Sequence, residues 1–247
     1  MKSVPVFHVP LIRVALLGLA LGTAGTATAT PPPGYAKESR EIVTKDNAVV
    51  ILVDHQPQTL FGIASHDRQT IVNNTEALAK TAKAFNLPVI LTTVSADTFT
   101  GPIIPEIRRV FPDHEVIDRS SLNAWADPRI VDAVRKTGRK KLIFAGTWTE
   151  LCLALPVLSA IEAGYEVYIV SDASGGSSME AHDLAIQRMV QAGARPLTWI
   201  GLLSELQYDW ARTETYPAVM DIVTRHGGAW GVGINYSRSV REAAKDK

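Results

Sequence analysis

The stretch KLIFAGTWTELCLALPVLSAIEAGYEVYIVS, residues 141–171, indicates the fold class of this chain. It opens with the apolar run KLIFAG, continues with a helical pattern and closes with a second apolar run, YEVYIVS. Both runs are short and nearly continuous in apolar character, which is typical of strands that are covered on both faces. The order strand, helix, strand therefore predicts one unit of a parallel sheet.

The same alternation extends over most of the chain. Further strand-like runs lie at 48–53, 88–94, 115–117 and 195–200. Segments with helical spacing lie at 67–85, 127–138 and 177–193. In the second of these, Asp127 and Pro128 are typical of a helix start, and Gly138 is typical of a helix end. We predict an α/β fold over residues 47–210, with a doubly wound, mostly parallel six-stranded sheet that has helices on both faces.

The N-terminal residues 1–29 have the pattern of a secretory signal peptide. Lys2 and Arg13 precede the apolar stretch, and the small residues Ala27 and Ala29 frame a cleavage site before Thr30. The alternative is an uncleaved membrane anchor, but residues 14–21 are shorter than the roughly 20 apolar residues that span a bilayer. We expect an exported protein, periplasmic or secreted, with no membrane attachment after cleavage. Residues 30–46 read as a Pro-rich linker.

The C-terminal extension, residues 211–247, does not fit a further strand–helix unit. Its Gly-rich segment GGAWGVG, residues 227–233, favours a loop. The second interpretation is an arm that packs on another subunit in a homo-oligomer.

The charge balance, the cysteine count and the Gly-rich segments exclude several classes of partner and site. The chain has 25 Lys and Arg against 25 Asp and Glu, and no window combines basic with aromatic residues as a nucleic-acid groove requires. We therefore expect a small-molecule substrate and no nucleic acid. The chain has one cysteine, so no internal disulfide can form. Its Gly-rich segments lack the strand–loop–Lys context of a phosphate site, and we expect no cofactor.

Three residues with complementary chemistry follow predicted strands. They are Asp54, Arg119 and Cys152. The carboxyl ends of parallel strands meet at one edge of a sheet, where reactive groups of such folds lie. Asp54 could take the thiol proton, while Arg119 and a helix start near Glu150 could stabilise a thiolate. Each residue also has a structural interpretation: a core cysteine, a capping aspartate and an arginine in an ion pair.

The segments VVILVDHQ, DRSSLNAWADP and AGTWTELCLALPVLSAIEAGYEVYIVSDASGG resemble the isochorismatase-like cysteine hydrolase superfamily, and its YcaC-like group most closely. The resemblance covers about residues 47–210. It implies that Cys152 is the nucleophile, that Asp54 is the base that activates it, and that the protein is a ring-like or stacked homo-oligomer. The family's third catalytic residue is usually a lysine, whereas this chain has Arg119, which cannot shuttle a proton.

The resemblance also implies details of the site. A cis peptide bond is expected between Thr147 and Trp148, with the backbone N–H groups of Trp148 and Cys152 forming an oxyanion hole. The remaining candidates, for substrate binding, are Asn123, Trp125 and Thr149; the first two could instead pack under the following helix. The histidine pattern that supports the metal of nicotinamidases in this superfamily is missing around Asp97, so we expect no metal.

These features favour a cysteine hydrolase that cleaves a carbon–nitrogen bond of a small amide through a covalent intermediate. One alternative is an isochorismatase-like vinyl ether hydrolase in which Asp54 is the acid and Cys152 is dispensable. Another is a non-catalytic oligomeric binding protein. We further expect Cys152 to have a low pKa if Arg119 takes the lysine's place, and we expect Arg119→Ala to leave folding intact.

Overall fold

The computed structural model describes residues 39–245. The predicted signal peptide and residues 30–38 of the predicted linker lie outside this range. Residues 39–47, which precede the first strand, contain turns and irregular backbone.

Six strands of the described chain form one sheet, and every recorded strand pair is parallel. The strands are β1 (Ala48–Val53), β2 (Val89–Val94), β3 (Val116–Arg119), β4 (Lys141–Gly146), β5 (Glu166–Val170) and β6 (Arg195–Leu197). Their order across the sheet is β3-β2-β1-β4-β5-β6. The chain runs outward from β1 to one edge and then returns to start β4 beside β1. This reversal creates the crevice in which doubly wound folds bind ligands.

Helices cover both faces of this sheet, as predicted. They are α1 (Pro57–Phe61), α2 (Arg68–Ala84), α3 (Pro105–Val110), α4 (Pro128–Thr137), α5 (Ala154–Glu162), α6 (Met179–Gln191), α7 (Trp199–Gln207), α8 (Tyr216–His226) and α9 (Ala229–Lys245). Val50 and Leu52 of β1 join one apolar cluster with α2, α3, α7 and α8. Val49 and Ile51 join the other cluster, with α4, α5 and α6. This division follows from the alternation of side chains along a strand.

Local signals set several of the helix boundaries. The Asp67 carboxylate accepts from the Thr70 amide at the start of α2, and Asp127 caps α4 in the same way. Gly138 ends α4 with φ of 66°, a left-handed conformation that glycine adopts without steric cost. The predicted helices at 67–85 and 127–138 therefore match the structure to within a residue or two.

The predicted strand at 195–200 is too long. β6 ends at Leu197, and the Thr198 hydroxyl accepts from the Gly201 amide to start α7 at Trp199. The apolar residues at 199 and 200 belong to a buried helix, because a short apolar run alone does not distinguish a strand from a helix.

The prediction of a loop at 227–233 is wrong. Helix α8 ends before Gly227, and α9 begins at Ala229 and contains the rest of the segment. A Cβ atom on Gly231 would lie 2.5 Å from the Thr224 carbonyl oxygen. Glycine is therefore needed here for close packing of α9 on α8. Helix α8 itself contributes Val219 and other residues to the core, so the C-terminal region packs on the sheet domain.

We also find that no helix among residues 39–245 is both long enough and apolar enough to cross a membrane.

Candidate active site

The candidate site lies where β1 and β4 run side by side. Asp54 directly follows β1, and the turn that carries Cys152 follows β4. This turn, Thr149–Leu153, is π-helical, and α5 begins only at Ala154. The predicted helix start near Glu150 is thus a short turn that leads into the helix.

Arg119 reaches this place from two strands away. It is the last residue of β3, and β2 separates that strand from β1. Its Nη2 donates to both carboxylate oxygens of Asp54, at 3.0 and 2.8 Å. The Arg119 side chain is 2% exposed and that of Asp54 is fully buried. Arg119 Nη1 donates to the Ser121 carbonyl, and its buried Nε has no hydrogen-bond partner among the described residues.

Cys152 completes the cluster. The Asp54 carboxylate and the backbone of Trp148 both interact with its thiol. The residue is 4% exposed, and it packs with the apolar cluster that contains Leu153 and Val157. The structure therefore brings Asp54, Arg119 and Cys152 together at the carboxyl edge of the sheet.

Burial controls the acid–base properties of this cluster. It raises the pKa of Asp54 to about 6, although the positive charge of Arg119 and the hydrogen bond from Cys152 oppose the shift. Burial also raises the pKa of the Cys152 thiol to about 12, and the negative charge of Asp54 adds to this shift. At neutral pH the pair is a neutral thiol that donates to an ionised carboxylate.

The expectation of a low-pKa thiol is therefore wrong. Arg119 does lower the pKa of Cys152, but this effect is smaller than those of burial and of Asp54. The guanidinium is bound to the carboxylate, and at the thiol the negative charge of Asp54 outweighs the positive charge of Arg119.

The expectation that Arg119→Ala leaves folding intact assumed a solvent-lined sheet edge. The structure places Arg119 in a buried ion pair instead. Removing one partner of such a pair leaves an uncompensated buried charge, which typically destabilises a protein by about 3–5 kcal/mol.

The Thr147–Trp148 peptide bond is cis, as the resemblance implies. The Trp148 indole N–H donates to the Thr59 carbonyl at 2.6 Å. Its ring lies against Gly62, where a Cβ atom would be 2.1 Å from Trp148 Cζ2. Glycine at position 62 thus makes room for the indole beside the turn that carries Cys152.

The three substrate-binding candidates have structural partners. The Asn123 carboxamide accepts from the Trp125 amide and donates to the Ser159 hydroxyl. The Trp125 ring packs edge-on against that of Tyr165, with centroids 5.4 Å apart. Thr149 is fully buried, and its hydroxyl is 2.8 Å from Nδ1 of His182. Their roles in substrate binding remain predictions.

Sequence reasoning missed Thr59. Its buried hydroxyl donates to the backbone carbonyl of Asp54 at 2.6 Å. A signal was present, because Gln56 and Pro57 mark a helix start and place Thr59 at the third helical position, where side chains reach back to the cap.

In the described part of the chain, no group of three or more His, Cys, Asp and Glu residues is arranged to hold a metal ion.

Comparison with known proteins identifies the family of this chain. A family model, the isochorismatase domain, matches residues 48–200. This chain belongs to the isochorismatase family. It is 45% identical over 167 residues to probable hydrolase YcaC of Escherichia coli (strain K12), a match that covers 67% of this chain and 80% of that protein. The resemblance to the YcaC-like group and to its hydrolases is thereby confirmed.

Two solved structures are also similar. YcaC from Pseudomonas aeruginosa with hexane-2,5-diol and covalent acrylamide matches with a TM-score of 0.77 and 38% identity, covering 81% of this chain and 98% of that chain. YcaC from Escherichia coli, described as an octameric hydrolase of unknown specificity, matches with a TM-score of 0.78 and 38% identity, covering 82% of this chain and 99% of that chain. The α/β fold of this chain is thus that of the YcaC structures.

Proposed function

We propose that this isochorismatase-family hydrolase cleaves the carbon–nitrogen bond of a small amide through a thioester on Cys152. One observation carries the proposal: the Cys152 thiol interacts with the Asp54 carboxylate, which is itself paired with buried Arg119. A thiol that is neutral at rest needs a base in contact with it, and a carboxylate with a pKa of about 6 is a suitable acceptor at neutral pH.

In the first half-reaction, the thiol proton passes to Asp54 and then to the leaving nitrogen. Asp54 removes the thiol proton as Sγ bonds to the amide carbonyl carbon, and the carbonyl oxygen becomes an oxyanion. The backbone N–H groups of Trp148 and Cys152 are the proposed donors to this oxyanion. When the carbon–nitrogen bond breaks, Asp54 returns the proton to the leaving nitrogen, and the acyl group stays on Cys152 as a thioester.

Water completes the cycle. Asp54, again ionised, removes a proton from a water molecule that attacks the thioester carbonyl. The carbon–sulfur bond breaks, the proton returns to the thiolate, and a carboxylic acid leaves. Arg119 keeps its proton throughout, and its role is to hold the Asp54 carboxylate in the ionised form and in contact with Sγ.

The acid–base state of Asp54 supports this function over vinyl ether hydrolysis. The alternative requires a protonated Asp54 at the start of the reaction. With a pKa of about 6 and Arg119 in contact, the Asp54 carboxyl is mostly ionised at neutral pH. An ionised carboxylate beside a neutral thiol can act as the base that removes the thiol proton.

The related proteins add two points. Covalent acrylamide in the Pseudomonas aeruginosa YcaC is consistent with a nucleophilic group in that protein, because acrylamide bonds to nucleophiles through its alkene carbon. The octamer described for Escherichia coli YcaC supports a homo-oligomer for this chain. We also propose export, on the basis of the N-terminal sequence pattern.

Intact mass spectrometry tests the amidase proposal. The protein is incubated with a panel of small amides, the reaction is quenched in acid, and the intact mass of the protein is measured. We expect a mass increase equal to one acyl group, which is absent from Cys152→Ala. Because the chain has one cysteine, the adduct is assigned without ambiguity. Amide turnover that is unchanged in Cys152→Ala would refute the covalent mechanism.

A further inference from the structure

The backbone carbonyl of Asp54 is an unusually crowded acceptor. The Gln56 amide donates to it at 2.8 Å, and the Thr59 hydroxyl donates at 2.6 Å. The Thr147 hydroxyl is a third hydrogen-bond partner. Both threonines are buried, so water does not compete for these bonds.

These bonds hold a backbone that would otherwise be unfavourable. Asp54 has φ of 56°, in the left-handed region that residues with a Cβ seldom adopt. Such a conformation persists where surrounding contacts enforce it, and it is found mainly at functional sites. Here it ends β1 and turns the Asp54 side chain toward Arg119 and Cys152, which come from other strands. The direction of the carboxylate therefore depends on the partners of its own carbonyl.

Thr59 is the partner that also reaches the other half of the site. Its Oγ1 lies 2.9 Å from the Thr147 hydroxyl, and its carbonyl accepts from the Trp148 indole at 2.6 Å. Thr147 and Trp148 precede the turn that carries Cys152, and the Trp148 backbone interacts with the Cys152 thiol. One residue of α1 thus contacts both the segment that carries the base and the segment that positions the nucleophile.

We propose that Thr59 is a positioning residue that fixes the Asp54 carboxylate against the Cys152 thiol. Thr59 does not contact the reacting atoms, so it acts through the Asp54 backbone and the Thr147–Trp148 turn. Because this role concerns the Asp54–Cys152 pair, it rests on the proposed function. Its consequence is that loss of one hydroxyl weakens the thiol–carboxylate contact without removing any group of that pair.

The infrared S–H stretch reports this contact directly. The single cysteine gives a single S–H band. A hydrogen bond to a carboxylate is stronger than one to a neutral acceptor, and it lowers the stretching frequency. In the wild type the band should move to higher frequency as the pH falls through about 6, where Asp54 takes up a proton.

Thr59→Val removes the hydroxyl and keeps the side-chain shape. We expect its band at pH 8 to lie at higher frequency than in the wild type, and the shift around pH 6 to be lost. Alkylation of Cys152 by iodoacetamide at pH 8 should slow by about tenfold or more, since base assistance typically contributes 10²–10⁴ in rate. Thr59→Ser, which restores a hydroxyl, should recover most of both signals.

Thr81→Val is the matched control. Thr81 is fully buried in α2, and its hydroxyl donates to the Ala77 carbonyl, so the variant loses an equivalent buried hydroxyl elsewhere. If Thr59→Val destabilises the fold too far to measure, Thr147→Val removes the adjoining hydroxyl and should give the same band shift. Wild-type band position and pH dependence in both Thr59→Val and Thr147→Val would overturn the role of Thr59.

This outcome is separate from failure of the proposed function. The S–H band and the alkylation rate need no amide substrate, so they test Thr59 by themselves. If Thr59→Val gives the expected band shift and slower alkylation but no amide gives an acyl adduct, the amidase proposal is refuted and the role of Thr59 is not.

Discussion

Arg119 binds both carboxylate oxygens of Asp54 from a single nitrogen, and both side chains are almost completely buried. This geometry leaves Nη1 of the guanidinium free to donate to the Ser121 carbonyl. The pair therefore holds β1 and the loop after β3 together, and it also keeps Asp54 charged beside Cys152. Structural and chemical roles of Arg119 are combined in one contact.

Replacing Arg119 should destabilise the protein in a pH-dependent way. For Arg119→Met we expect a loss of about 3–5 kcal/mol at pH 8, because a buried carboxylate loses its partner. Without Arg119 the folded-state pKa of Asp54 rises above its wild-type value of about 6, so the loss relative to the wild type grows as the pH rises above about 6. Urea unfolding at pH 5 and pH 8 measures this difference.

Arg225→Met is the control for this measurement. Arg225 forms a solvent-exposed i,i+4 pair with Asp221 on α8, and such pairs contribute little. An equal effect of the two substitutions, or a loss in Arg119→Met that does not depend on pH, would contradict the buried ion pair.

Alkylation of Cys152 should follow the titration of Asp54. With the thiol pKa raised to about 12, thiolate is scarce at neutral pH, and the reaction depends on the base. We expect the iodoacetamide rate to rise with pH through about 6 and then to level off, and we expect Asp54→Asn to abolish this rise. The rate is measured by intact mass from pH 5 to 9. A single rise near 8.5, the pKa of an ordinary thiol, would show that Asp54 does not assist.

The buried histidine next to Asp54 should limit stability in acid. His55 is fully buried, its Nε2 lies 3.0 Å from the Ala173 carbonyl, and burial lowers its pKa to about 4. The folded state therefore favours neutral His55, and this stability is lost as the pH falls from about 6.5 toward 4. Relative to wild type, His55→Gln should gain about 2–3 kcal/mol between pH 7 and pH 4.5.

Denaturant unfolding at the two pH values checks the effect of His55, and His114→Gln, at an exposed histidine, is the matched control. Parallel pH dependence of wild type and His55→Gln would show that His55 does not titrate on unfolding.

Two glycines of α9 should respond in opposite directions to alanine. A Cβ on Gly231 meets the Thr224 carbonyl at 2.5 Å, whereas a Cβ on Gly233 meets nothing within 4 Å. Gly231→Ala should destabilise the protein by about 1–3 kcal/mol through overpacking. Gly233→Ala should stabilise it by about 0.5–1 kcal/mol, because alanine is the better helix former. Thermal unfolding distinguishes the two variants, and equal effects would argue against the close packing of α9 on α8.

The sequence by itself determined the α/β class, most of the strands and the three residues that meet at the candidate site. These features depend on local patterns: apolar runs bounded by turns, Asp127 and Gly138 at helix ends, and polar residues that follow strands. The quoted segment around Cys152 also indicated the family, and the family model confirms it.

Tertiary structure decided the protonation state of the candidate site. The sequence placed Asp54, Arg119 and Cys152 at one edge, but the sign of the thiol's pKa shift depends on how much water reaches them. The access of water is set by elements that are distant in the chain and that bury the ion pair. Burial therefore affects the pKa of Cys152 more strongly than the charge of Arg119 does. The contacts of Thr59 and the close approach of α9 to α8 are likewise decided by packing, because a pattern along one segment does not specify which other segment lies against it.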